Sequence, residues 1–222
     1  MELAHLTRTR MGTGGVLKQE PEDFRVDEIP LYEACGEGEH VFAHLRKRGL
    51  ATFEAVRRIA KWLDIPERYV TFAGLKDARA VTTQWISLFG VTEEQVAKVD
   101  TPGIELTQIR RHTNRLRVGH LRGNRFTIVV RDARPGYEPD ARAILAEILH
   151  RGVPNFFGEQ RFGVRGDSYL YGLALLQGDH EKLLHHLLGG EPGPTLDPRV
   201  LESRAHFNEG RYQEAFDALP IR

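Results

Sequence analysis

The sequence predicts an α+β domain followed by a helical region, and three observations carry that reading. Stretches rich in β-branched and aromatic residues recur through the first two thirds, as in Thr127-Ile128-Val129-Val130. One segment, Thr52 to Leu63, places Phe53, Val56, Ile59, Ala60 and Leu63 at helical spacing. After Gly152 the strand-like patterns stop and only short helical ones remain. With 222 residues, the chain suits one large domain or one domain plus part of another. The boundary is therefore expected near Gly152, giving a strand-rich domain over 1–151 and a mostly helical one over 152–222.

The elements follow in order. Val16 to Ile29 reads as one extended segment, with Phe24 and Val26 on one face. Gly36 to Glu39 is a turn, and His40 to Leu45 a strand. Thr52 reads as the N-cap of the helix that ends near Leu63, before the break at Pro66. Val70 to Ala73 and Gln84 to Phe89 are short strands. Thr92-Glu93-Glu94-Gln95 has the pattern of a capping box. Ile104 to Ile109 and Arg125 to Arg131 are further strands, and Pro139 to His150 a helix. Beyond the boundary, helices are expected over Tyr169 to Leu176, Glu181 to Leu188, Arg199 to Phe207 and Arg211 to Leu219. The last stops at Pro220-Ile221-Arg222 without a closing element, so the chain is expected to be an N-terminal portion.

Composition narrows the function. Hydrophobic residues make up 41% and charged residues 28%, enough for a packed core in a water-soluble chain. No apolar run approaches the roughly 20 residues of a membrane span. The start, Met1 to His5, lacks a basic-then-apolar signal pattern, so a cytoplasmic location is expected. One cysteine, Cys35, excludes an internal disulfide framework. A formal net charge of zero argues against coating nucleic acid through bulk charge. Local basic clusters remain: Arg46-Lys47-Arg48, and the series Arg110, Arg111, Arg115, Arg117, Arg122 and Arg125. By themselves such clusters read as solvated faces. The ten histidines show no metal-ligand spacing. His180 and His185 miss the zincin interval by one residue, and no metal is expected.

Four segments could carry chemistry. In Phe72 to Gln84 a short strand runs through Gly74 into a charged turn and out into another strand. Asp77 on such a turn is held by rigid elements yet can face a cleft, as a nucleophile must. Lys76 and Arg79 are near it in sequence and would favour its ionised form. In Gly123-Asn124-Arg125-Phe126, an amide with donor and acceptor stands two residues from an aromatic, on the same strand face. That pair suits one base taken out of its stack. In Lys18 to Phe24, Phe24 offers a second ring and Lys18 a cation. Pro154 to Gly163 packs Phe156, Phe157 and Phe162 among glycines and polar groups, a density found in functional loops and in tight turns filled by their aromatics.

Together, and in this order, the four segments resemble the TruD family of tRNA pseudouridine synthases. That family carries a Lys and PEDF, G-x-K-D, G-N-x-F, and P-N-x-F-G-x-Q-R-F-G. The resemblance implies a mixed, largely antiparallel sheet with flanking helices, followed by part of a helical inserted domain. It implies Asp77 as the catalytic aspartate, with Lys18 paired to it, and Phe24, Asn124 and Phe126 as substrate-contacting residues. It also implies tRNA as partner, uridine-13 as the usual target, isomerisation to pseudouridine as the reaction, and no cofactor. Two other readings stand beside it. One is a catalytically inactive RNA-binding fragment that keeps Phe24, Asn124, Phe126 and the arginine series. The other is a glycosidase pair of Asp77 and Glu159, without the row of tryptophans expected for sugar stacking.

Overall fold

The computed structural model describes residue 7 and residues 9–163, 166–189 and 197–219. The chain divides into two compact units, Met1–Arg151 and Gly152–Arg222.

The first unit is built on β1 (Val16–Leu17), β2 (Phe24–Pro30), β3 (His40–Arg48), β4 (Val70–Phe72), β5 (Val81–Phe89), β6 (Ile104–His112), β7 (Leu121–Ile128) and β8 (Val130–Arg131). Its helices are α1 (Thr52–Leu63), α2 (Glu93–Ala97) and α3 (Glu138–Arg151). Six strands form one sheet in the order β6-β3-β5-β2-β7, with β4 also paired to β5. Only β2 and β5 run parallel; every other pairing in this sheet is antiparallel. β1 and β8 form a separate antiparallel pair.

Register decides which residues share a face. Leu45 lies opposite Gln84 and Lys47 opposite Thr82, while Val26 lies beside Thr82 and opposite Phe126. With a side-chain period of two, one face therefore carries Val41, Ala43, Leu45 and Lys47 from β3, and Thr82, Gln84, Ile86 and Leu88 from β5. It also carries Phe24, Val26 and Glu28 from β2, and Asn124, Phe126 and Ile128 from β7. The buried residues Ala55, Val56, Ile59 and Ala60 of α1 pack against its apolar end with Val41, Ala43, Leu45, Ile86 and Leu88. Moving along the face, this core gives way to Lys47, Thr82 and Gln84, all buried and polar, and then to the aromatics of β2 and β7.

Several elements depart from the sequence expectation, each for a physical reason. The expected Val16–Ile29 strand is interrupted. Lys18 takes a left-handed φ of 57°, and Pro21–Asp23 form a turn of 3-10 helix with a capping box between Glu20 and Asp23. The N-cap of α1 is Ala51, because the Thr52 hydroxyl is engaged by another part of the chain. Phe53 is exposed, so the buried stripe of α1 excludes it. β3 and β5 extend beyond their expected ends to Arg48 and back to Val81, since Lys47, Val81 and Thr82 are buried. β7 begins at Leu121, which puts Asn124 mid-strand rather than at a strand start. The capping box at Thr92 and Gln95 is present.

The second unit, among the described residues, is helical: α4 (Ser168–Gln177), α5 (His180–Leu188), α6 (Pro198–Asn208) and α7 (Tyr212–Ala218). Asp179 and Asp197 cap α5 and α6 through the backbone N–H groups of Lys182 and Arg199. Ser203 of α6 donates to the Ala215 carbonyl of α7 at 2.5 Å, locking that pair together. Phe156, Phe157 and Phe162 are exposed and do not fill the turn they occupy. Pro220 to Arg222 and the side chain of Glu159 lie outside the described residues.

Candidate active site

The turn between β4 and β5, Ala73 to Ala80, lies over the polar part of the sheet face and is tied down from beneath. Gln84 Nε2 donates to the Gly74 carbonyl at 3.0 Å. The Lys76 N–H donates to Thr52 Oγ1 at 3.0 Å, and Thr52 Oγ1 lies 3.1 Å from Gln84 Oε1. Lys47 Nζ donates to the carbonyls of Leu50, Asp77 and Lys76 at 2.6, 2.8 and 3.4 Å. Burial pulls the Lys47 ammonium down to about 8; the nearby Asp77 carboxylate acts against that shift and the Lys76 cation adds to it.

The Lys76 side chain turns into the protein. Its Nζ meets Glu28 Oε2 at 2.6 Å, with the side chains only 3% and 1% exposed. Glu28 Oε1 accepts the Trp85 N–H at 3.1 Å. Register explains why: β2 and β5 pair only from Arg25–Val81 to Asp27–Thr83, and the carboxylate takes the next ladder donor on β5. A buried cation with a hydrogen-bonded partner avoids the cost of an unpaired charge.

These ties hold the backbone on both sides of Asp77 and leave its carboxylate half exposed. Asp77 Oδ1 lies 3.3 Å from Lys18 Nζ. Lys18 Nζ also sits 3.8 Å from the centre of the Phe24 ring. Phe24 meets Phe126 edge-to-face with centroids 6.0 Å apart. Asp77, Lys18, Phe24 and Phe126 thus form one chain of contacts. Asn124 stands on the same strand face as Phe126, opposite Glu28, and is exposed.

The PEDF segment positions Phe24 residue by residue. Glu22 accepts from Arg48 Nε at 2.6 Å and Nη2 at 3.2 Å. Buried Asp23 accepts from Arg131 Nε and Nη2 at 2.8 and 2.7 Å, which holds its carboxyl below the usual range. Its carboxylate also takes the Glu20 N–H at 3.0 Å, and its carbonyl the Val129 N–H at 2.8 Å. Arg79, expected to act on Asp77, instead donates to the Lys18 carbonyl at 3.3 Å and holds that residue in its left-handed conformation. Lys76, expected to act likewise, is committed to Glu28.

Sequence reasoning missed Lys47, Glu28, Thr52 and Gln84. The Arg46-Lys47-Arg48 cluster splits between two faces: Arg46 and Arg48 are exposed and paired with Glu105 and Glu22, while Lys47 is buried. The available signal was alternation. Lys47 follows Val41, Ala43 and Leu45 at a spacing of two, and Glu28 follows Phe24 and Val26. A charge on an inward-facing position marks a buried partner.

The first unit is thus an α+β domain in which a strand-flanked aspartate turn is clamped onto a mixed sheet, beside a lysine and an aromatic pair. The solved structure titled putative tRNA pseudouridine synthase D from Methanosarcina mazei shares this fold, with a TM-score of 0.72 and 33% identity, covering 99% of this chain and 54% of that one. The family model described as tRNA pseudouridine synthase D (TruD) matches residues 1–222. The tRNA pseudouridine synthase D of Geobacter sulfurreducens is 49% identical over 216 residues, covering 97% of this chain and 53% of the relative. That of Geotalea daltonii is 46% identical over 216 residues, covering 97% and 54%. The chain belongs to the TruD family, and it spans about half the length of the curated relatives it matches.

Proposed function

We propose that this chain carries the catalytic site of a tRNA pseudouridine synthase, with Asp77 as nucleophile or base and uridine-13 of tRNA as target. The first unit would be the N-terminal portion of the catalytic domain, and the second part of the inserted helical domain. The contact chain Asp77–Lys18–Phe24–Phe126 is the observation that carries the reading. A carboxylate stands at the end of an aromatic surface, with a cation fixing its direction. A flipped uracil stacks on Phe24 and Phe126, which offsets part of the few kcal/mol spent in unstacking it. Asn124 supplies a donor and an acceptor to the base edge.

The reaction is a redox-neutral isomerisation. The bond from C1′ to N1 breaks, a bond from C1′ to C5 forms, and the proton lost from C5 is balanced by one gained at N1. Asp77 adds to the sugar or base, or takes a sugar proton; all three fit a carboxylate on a fixed turn. None of these steps calls for a cofactor or a metal. A cytoplasmic location belongs to the same proposal, as the place where tRNA is modified. No helix among the described residues is long and apolar enough to cross a membrane.

The test is pseudouridine mapping in unmodified tRNA incubated with this protein. Product at one D-arm uridine is expected. Binding without product would favour an RNA-binding role and overturn the assignment.

Lys47 acts in this reading by holding the Asp77 carbonyl. Lys47→Met is expected to lower the single-turnover rate by about 10- to 100-fold, since a buried hydrogen bond from a charged donor is worth about 1.5–3 kcal/mol. The Kd for tRNA should stay within about threefold. The wild-type rate should fall as pH rises through about 8, where this lysine loses its proton and one of its donors. Lys47→Arg, which stays charged, should remove that alkaline limb. A pH–rate profile of the three proteins checks both points.

A further inference from the structure

A second cleft lies across the N-terminus of α1 from the Asp77 turn. The first two residues of the helix divide the two places. Thr52 bonds Lys76 on one side, while Phe53 lines the cleft on the other. The cleft has a volume of about 460 Å³. Its floor is apolar, with Phe53 and Phe72 edge-to-face at 5.6 Å beside Leu116 and Val118. Phe53 is 58% and Val118 82% exposed, so this apolar surface faces solvent.

Arg68, Arg115 and Arg117 form the rim. None of them forms an ion pair with a carboxylate among the described residues. The one acid lining the cleft, Glu67, is taken by Arg57 at 3.5 Å. The loop carrying Arg115 and Arg117 is fixed to the sheet. The Leu116 N–H donates to Ser87 Oγ at 3.3 Å, and the Gly119 N–H to the Ala73 carbonyl at 2.8 Å. That second bond joins the arginine loop directly to the strand end that leads into Gly74 and Asp77. A smaller depression of about 260 Å³ continues past Arg68 and Arg115 to Tyr69 and Phe89.

Exposed rings interleaved with guanidinium groups that face no carboxylate have the chemistry of a single-stranded nucleic-acid platform. The rings and guanidinium planes stack on bases, and the charges meet phosphates. We propose that this cleft binds an unstacked nucleotide next to the target uridine on the same RNA strand, its base on Phe53 and its phosphates on Arg115 and Arg117. The proposal rests on reading the Asp77 turn as the uridine site. It gives the enzyme a second grip that draws the target strand open on both sides of α1.

The test uses this protein and unmodified tRNA. The double variant Arg115→Gln/Arg117→Gln is expected to weaken binding about tenfold at moderate salt. It should also flatten the dependence of log K on log salt by about 1.4, near 0.7 for each single-strand phosphate that the protein no longer neutralises. Phe53→Ala is expected to weaken binding at least about fivefold, the low end of what stacking one base on an aromatic ring contributes, with the slope unchanged. With 2-aminopurine at each nucleotide flanking the target, one position should change its emission on binding wild type and not Phe53→Ala. Unchanged affinity and slope in both variants would overturn the proposal. So would a fall in melting temperature that accounts for the weaker binding, because the cleft would then be covered by protein. Absence of product from wild type marks failure of the Asp77 reading; product from wild type with unaffected binding by the variants marks failure of this proposal alone.

Discussion

Asp77→Ala should abolish pseudouridine formation, by at least about 10³-fold, the scale on which removing one member of a nucleophilic unit acts. Binding of tRNA should change by no more than a few fold, and the melting temperature hardly at all. The structure separates these effects. Asp77's side chain is 50% exposed and its ion-pair partner is Lys18, itself 32% exposed. Such a pair contributes about 0–1 kcal/mol to folding. The groups that hold the turn act on its backbone and on Lys76, so all of them survive truncation at Cβ. The measurement is single-turnover conversion of tRNA with a parallel binding isotherm. Activity retained within about tenfold would remove Asp77 from the chemistry. Loss of binding together with activity would place the residue in recognition instead.

Much of this arrangement was legible in the sequence because short motifs sit where strands turn. Gly74 to Asp77 reads as a turn between strands, and it is one. Asn124 and Phe126 read as sharing one strand face, and the register bears that out, although the strand starts earlier than expected. The helical character beyond Gly152 was legible as short runs of helical pattern, and the described residues there form helices.

What stayed hidden depends on partners far apart in the chain. Lys76 and Arg79 are sequence neighbours of Asp77, and proximity in sequence suggested charge acting on it. The turn instead sends Lys76 inward across 48 residues to Glu28, and Arg79 to a carbonyl 61 residues away. The cation beside Asp77 is Lys18, 59 residues distant, which the family resemblance implied but no neighbouring residue suggested. No local pattern encodes those choices; they follow from β2 lying beside β5 in parallel, which brings Lys18, Phe24 and Glu28 to the turn at once. Thr52 misled for a related reason. A threonine ahead of a helix normally spends its hydroxyl on the first turn. Here it accepts from Lys76, because the helix start is pressed against the Asp77 turn.

The same geometry makes Glu28→Ala the substitution with the largest expected effect on stability. Removing one partner of a buried ion pair costs about 3–5 kcal/mol, because the other charge is left without compensation. Folded domains are stable by about 5–15 kcal/mol in all, so the loss is a large share. Glu28 serves two donors, Lys76 Nζ at 2.6 Å and the Trp85 N–H at 3.1 Å. Lys76→Met removes the cation but leaves Glu28 with Trp85, so it should cost less than Glu28→Ala. Replacing both, as Glu28→Leu/Lys76→Met, removes both buried charges and should recover stability relative to Glu28→Ala, since apolar pairs of similar volume replace buried ion pairs at little cost. Urea unfolding of wild type, Glu28→Leu, Lys76→Met and the double variant gives the coupling energy, with Glu28→Ala unfolded alongside. If Glu28→Ala unfolds at the wild-type midpoint, the pair is not desolvated in solution and the turn is held by Lys47, Thr52 and Gln84 alone. If the double variant is stable yet slow, the ion pair positions Asp77; if it is stable and fast, the pair serves folding, and the backbone bonds are sufficient to present the carboxylate.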